Sequence, residues 1–133
     1  MRLLADTGAL LACLLKKDQH HREAVTFVRR HPDARFVLTD LILSELVTRL
    51  RVRAGAPQAA AVGRNYLESR RYSVLFVDVP LIRSGLARME QYGDKAPSLP
   101  DCVSFEVIDR LALDGAFAFD RDFRDCGYRT FPS

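Results

Sequence analysis

Tryptophan is absent from the 133 residues, methionine occurs twice, and lysine, histidine and cysteine occur three times each. Each shortage narrows the chemistry. Cys13, Cys102 and Cys126 are odd in number and have no C-x-x-C spacing, which argues against a disulfide framework or a zinc site and fits reduced thiols in a cytoplasm. His20 and His21 are adjacent and His31 stands alone, so no pair has the spacing of metal ligands on a helix; they read as surface or capping residues. No apolar run reaches the ~18–20 residues of a bilayer span. The stretch from Ala9 to Leu15 imitates a signal peptide. Asp6 interrupts it, Cys13 comes too early and Lys16-Lys17 lies on the wrong side, so an amphipathic first helix is the expectation.

The scarcity of lysine has a counterpart. Seventeen of the twenty basic residues are arginine, whose planar fork suits bidentate contact with phosphate, although the formal net charge is only +3. Genomic composition and solvated helix faces account for the same count. Arg49, Arg51, Arg53, Arg70 and Arg71 are the candidate phosphate contacts, each with that plainer explanation beside it.

Length and the absence of repeats or linkers predict one domain over residues 1–133. Apolar runs predict strands over Arg2–Ala5, Arg35–Leu38, Ser73–Val77 and Ala116–Phe119, with a short fifth over Tyr128–Phe131. Helical periodicity fills the intervals. Leu10, Leu11, Leu14 and Leu15 mark the first helix; His20–Arg30 forms the second, with Ala24, Val25 and Val28 inward. Thr39 or Asp40 caps a third, from Leu41 to Ala54, and Gln58–Arg71 follows Pro57. Asp78 opens a helix carrying Ile82, Leu86 and Met89. Asp101–Leu113 buries Phe105, Ile108, Leu111 and Ala112. This alternation implies an α/β fold with a mainly parallel sheet and helices on both faces, and sites in such sheets form beyond the carboxyl ends of the strands.

Four carboxylates stand at informative places. Asp6 and Asp120 each end an apolar strand; Glu45 lies in the third helix; Asp101 starts a later one. Each has an ordinary explanation. Asp6 can cap the first helix, Glu45 can pair with Arg49 at i,i+4, and Ser98 with Asp101 matches a capping box. Glu45 follows Leu41-Ile42-Leu43 and precedes Leu46-Val47, so its half of the helix has almost no polar face and it is expected to point at something specific. Ser104 shares Asp101's side of its helix. One of Asp120 and Asp122 is expected to be a turn residue. An all-carboxylate cluster without histidine or cysteine suits a hard divalent cation, Mg2+ or Mn2+, and phosphodiester hydrolysis.

In order, these pieces resemble the PIN-domain ribonuclease family, in particular the VapC-type toxins of toxin–antitoxin pairs. The resemblance rests on Asp6-Thr7-Gly8-Ala9-Leu10, Ser44-Glu45-Leu46, Leu99-Pro100-Asp101 with Ser104, and Phe119-Asp120-Arg121-Asp122-Phe123 with Gly127. It implies a three-layer α/β/α sandwich with a mainly parallel sheet of 4–5 strands, and Mg2+- or Mn2+-dependent cleavage of RNA. It implies Asp6, Glu45, Asp101 and Asp120 as catalytic and metal-holding acids, with Asp122 as an outer partner. Thr7 and Ser104 are the residues expected to position them. Expected partners are the RNA, a small antitoxin protein and a second copy of the chain, with no membrane. Gly8 and Ala118 depart from the family, which commonly has hydroxyl residues there. The alternatives are a housekeeping RNA-processing PIN nuclease and a non-catalytic RNA- or protein-binding module of the same fold. A phosphoacceptor receiver domain fits less well, because no second acid adjoins Asp6 and no lysine follows Lys95.

Overall fold

Leu3, Leu4 and Ala5 are completely buried, because the strand that carries them has neighbours on both edges and helices on both faces. The computed structural model describes all residues, 1–133. It contains β1 (Arg2–Ala5), α1 (Thr7–Leu14), α2 (His21–Arg30), β2 (Arg35–Thr39), α3 (Asp40–Ala54), α4 (Ala56–Glu68), β3 (Tyr72–Leu75), α5 (Val79–Gln91), α6 (Leu99–Arg110), β4 (Gly115–Phe117), α7 (Arg121–Asp125) and β5 (Thr130–Phe131). The sheet order is β3-β2-β1-β4-β5, and every neighbouring pair is parallel. The result is the expected three-layer α/β/α sandwich, with five strands.

Register carries the acids to one end. Leu3 pairs with Phe36 and Gly115, and Ala5 with Phe117. The Asp6 amide then donates to the Phe117 carbonyl at 3.0 Å, so Asp6 leaves the sheet at its carboxyl edge. Two aromatic clusters pin the layers. Phe27 of α2 stacks on Phe117, which contacts Phe36, and Phe36 stacks on Tyr72. On the α6 side, Phe105 meets Tyr92, Phe123 and Tyr128.

Several predicted boundaries shift for local reasons. Thr39 Oγ1 accepts the Ile42 amide at 3.2 Å and so caps α3. Asp78 Oδ1 accepts the Leu81 amide at 2.9 Å and caps α5, while Asp40 Oδ1 holds the Val77 amide at 2.8 Å. Helix α6 starts two residues earlier than expected, because Ser98 caps it and Pro100 is tolerated in its first turn. It stops at Arg110, and Ala112 adopts φ +50°. Leu111 is therefore only half-buried and Ala112 exposed, against the expectation for both. Helix α2 buries Ala24 and Phe27, with Val25 and Val28 only partly covered. Helix α5 turns Leu81 and Gly85 inward, leaving Leu86 and Met89 exposed. Gly85 permits this approach to α6: a Cβ there would lie 2.7 Å from Val103 Cγ2.

Gly115 opens β4 beside the last strand. A Cβ at this position would lie 2.4 Å from the Arg129 carbonyl oxygen, which belongs to backbone and cannot swing aside. Gly115→Ala should lower stability by about 1–3 kcal/mol, the usual cost of overpacking, as read from the urea midpoint. An unchanged midpoint would mean that β5 can move away freely.

Candidate active site

A cleft of about 230 Å3 opens beyond the carboxyl ends of β1 and β4, lined by Asp6, Thr7, Gly8, Glu45, Arg49, Ser98, Asp101 and Asp120. None of these is hydrophobic. The four acids singled out in the sequence thus share one polar space, delivered by four elements. Asp6 precedes α1, Glu45 rides on α3, Asp101 sits in the first turn of α6, and Asp120 precedes α7.

Asp6 occupies the N-cap position of α1 with extended backbone (φ −83°, ψ 153°), yet its side chain makes no capping bond. Its carboxylate is left for another use. Burial is the main force that pushes the Asp6 carboxyl up to about 7. The charge of Asp101 adds to it, the Thr7 amide offsets part, and Asp120 and Glu45 add further repulsion. Three other acids therefore act on Asp6 through space. Gly8 leaves this carboxylate room: a Cβ there would rest 3.8 Å from Asp6 Oδ2, an ordinary contact.

Asp101 has two roles. Its amide donates to Ser98 Oγ and its Oδ2 accepts the Ser98 amide, both at 3.2 Å, which completes the capping box. Burial raises its carboxyl above the ordinary value against the Ser98 hydrogen bonds, with Asp122 and Asp120 contributing repulsion. The capping bonds occupy one carboxylate oxygen, and the group still lines the cleft.

Asp120 Oδ1 accepts the Asp122 amide at 2.8 Å, so the cleft-lining aspartate is also the turn residue. Asp122 stands behind it, outside the cleft wall. Its carboxyl is raised by partial burial and then by Asp120 and Asp125. Thr7 is almost fully buried in the wall. Ser104 is buried one helical turn beyond Asp101, and its Oγ has no hydrogen-bond partner.

Glu45 departs from one expectation. Helix α3 buries Ile42, Leu46 and Leu50 and does have a polar face, formed by Ser44, Glu45, Thr48 and Arg49. Glu45 Oε1 lies 3.6 Å from Arg49 Nη1, with both side chains about half exposed. Such a pair contributes only about 0.3–0.5 kcal/mol, too little to hold Glu45 away from the cleft.

The candidate arginines separate. Arg49 reaches the cleft. Arg51, Arg53 and Arg70 are exposed and lie outside its wall. Arg71 is committed to backbone instead. Its Nε donates to the Ala34 carbonyl at 3.1 Å, and its Nη2 to those of Val28 (3.0 Å) and His31. It ties the end of α2 to the start of β2, and the guanidinium also lies over the Phe36 ring. This structural anchoring removes Arg71 from the candidate RNA contacts. Ser98 and Gly8 line the cleft without having been chosen as site residues. The S-x-x-D capping signal already marked Ser98, but only as a helix start.

The donor set fits a hard divalent cation. Apart from Arg49, every polar side chain lining the cleft offers oxygen, and the mutual repulsion of the acids is what a cation would relieve. As the side chains stand, no three acidic, histidine or cysteine groups form a ready-made ion cage. Mg2+ needs no such cage, since it commonly binds through one or two carboxylates and keeps several waters.

A parallel sheet with acids gathered at its carboxyl edge defines a class of α/β domain. Residues 3–127 match the PIN domain, and the chain belongs to the PIN-domain family. Among solved structures it is similar to the Mycobacterium tuberculosis toxin VapC20, described as cleaving the sarcin-ricin loop. That pair has a TM-score of 0.87 and 24% identity, with 96% of each chain covered. A toxin–antitoxin complex from Klebsiella pneumoniae matches with a TM-score of 0.65 and 13% identity, over 91% of this chain and 88% of the other. A sequence comparison with curated proteins finds no match.

Asp6 makes folding depend on pH. In the unfolded chain its carboxyl ionises near 3.8; in the fold it holds its proton until about pH 7. The folded state binds the extra proton, so stability falls as pH rises from about 4 to about 7, by roughly 2–4 kcal/mol. Without divalent cations, Asp6→Asn should melt higher than the parent chain at pH 8, with the gap closing near pH 4. A gap independent of pH would show that Asp6 is not the group responsible.

Proposed function

We propose that the chain is a Mg2+- or Mn2+-dependent endoribonuclease and the toxin of a VapBC-like pair. The observation that carries the reading is the convergence of Asp6, Glu45, Asp101 and Asp120 on one polar cleft. Family membership and the fold similarity to VapC20 support it.

In this reading Asp6, Asp101 and Asp120 hold the cation, directly or through water, and Glu45 is a further ligand or orients the attacking water. A bound divalent cation supplies charge neutralisation at the phosphate and lowers the pKa of an attacking water. Thr7 and Ser104 position the carboxylates, and Asp122 supports Asp120 from behind. Arg49, the one cation lining the cleft, is placed to meet a phosphate oxygen once RNA enters.

The reading includes a small antitoxin as partner, supported by the fold likeness to a chain of a toxin–antitoxin complex. It also includes a homodimer. Phe76 and Val79, 67% and 63% exposed, provide apolar surface for such contacts at the start of α5. No helix is long and apolar enough to cross a membrane.

The test is cleavage of a structured stem-loop RNA by the purified chain with Mg2+ or Mn2+. EDTA should abolish the activity, and added Mg2+ should restore it. Asp6→Asn should cost more than the ~10–100-fold typical of residues that only support a ligand. Cleavage that persists in EDTA, or in Asp6→Asn at the parent rate, would sink the metal-carboxylate mechanism. Intact RNA under all conditions would favour the binding-module alternative.

A further inference from the structure

The largest cavity of the molecule is not the acidic cleft. A groove of about 590 Å3 lies between α2 and the last residues of the chain, lined by Arg22, Thr26, Phe27, Arg30, His31 and Phe131, among others. We propose that this groove is a second RNA-contact site, holding the phosphate backbone of the substrate away from the scissile bond. The inference rests on the RNA-cleaving reading of the cleft.

The spacing of the basic residues is the first observation. Arg22, Thr26 and Arg30 recur every four residues, so they share one face of α2, and the two arginines stand about 12 Å apart along the axis. Neither guanidinium has an acidic partner. The ion pairs of the chain are His20–Glu23, Glu45–Arg49, and those of Arg88 and Arg110 with Glu106 and Asp109. Arg22 and Arg30 take no part in these, nor in the side-chain hydrogen bonds that occupy Arg71.

Helix electrostatics separates the two arginines. Arg30 sits in the last turn of α2, where a cation offsets the helix dipole. Arg22 sits in the first turn, where the same charge opposes the dipole. Helix stability therefore explains Arg30 and not Arg22, whereas an anion in the groove explains both. Glu23 also lines the groove and lies beside His20, so it trims the positive charge at one end without pairing either arginine. Arg129 is not part of the lining, but its guanidinium lies 4.6 Å from the centre of the ring of Phe131, which is.

Position points to RNA as the anion. Helix α2 begins beside the acidic cleft: His20 stacks on Phe119 at 4.4 Å, and Phe119 precedes Asp120. Farther along, Phe27 stacks on Phe117, whose carbonyl accepts the Asp6 amide. One strand in the phosphodiester cleft would thus meet the start of α2 on leaving it, and the arginine face follows. Planar guanidinium groups suit phosphate, and the Thr26 hydroxyl adds a neutral donor between them.

The experiment measures binding of a fluorescently labelled stem-loop RNA to the full chain in EDTA, by anisotropy across a salt series. The Arg22→Gln/Arg30→Gln double variant should bind about 10-fold more weakly at low salt, and its slope of log affinity against log salt should fall by about 1–2. Arg22→Lys/Arg30→Lys should recover the slope, since it keeps the charge. Arg29→Gln, on α2 but outside the groove lining, should stay within about 2-fold of the parent. A melting temperature equal to the parent's excludes misfolding; if the double Arg→Gln variant melts lower, Arg22→Gln alone carries the comparison, since that charge opposes the helix dipole, and its slope should fall by about 1. An unchanged affinity and slope in the Arg22→Gln/Arg30→Gln variant, while the parent binds and cleaves RNA, would overturn this inference alone. So would polyglutamate displacing the RNA at equal charge. A parent chain that neither binds nor cleaves RNA would overturn the proposed function with it.

Discussion

The site depends on the pairing of β1 with β2 on one edge and β4 on the other. Those parallel ladders bury Leu3, Leu4 and Ala5 and end with the Asp6 amide on the Phe117 carbonyl. Asp6 is consequently held by backbone at a strand end, and its side chain makes no helix-capping bond. The same ladders set the height of β4, and so deliver Asp120 three residues past Phe117. Helix α6, packed on β1, brings Asp101 to the same edge.

Gathering acids in this way works against folding. Burial and the neighbouring charges hold Asp6 protonated far above the ordinary range, and Asp101 is raised as well. The fold offsets this through features that have nothing to do with the acids: a core of 28 buried apolar residues, two aromatic clusters, and the Arg88–Glu106–Asp109–Tyr128 network that joins α5, α6 and the C-terminal segment. A site of this kind is an energetic liability that a bound cation would relieve. Arginine side chains line a different groove, along α2.

Much of the fold was legible because its signals are local. Strand and helix existence followed from apolar periodicity, except for the five-residue α7, and the caps at Thr39, Asp78 and Ser98 from residue type. What failed was the choice of buried face. Leu86 and Met89 have the spacing of an inward stripe, but Gly85 offers the closer approach to Val103, and packing decides between them. Glu45 looked isolated on an apolar helix; Ser44, Thr48 and Arg49 join it on a solvent face that only the placement of α3 defines.

By itself, the sequence determined the order of the strands and of the six longer helices and the parallel α/β class, and it marked the four acids as candidates, since strand ends, caps and carboxylates are readable residue by residue. Tertiary structure alone decided which residues share space. It divided Asp120 from Asp122, assigned Arg71 to the backbone of α2, brought Ser98 and Arg49 into the cleft, and set Arg22 and Arg30 along a groove. These outcomes depend on distances between segments far apart in the chain, which register and packing set and local pattern does not encode.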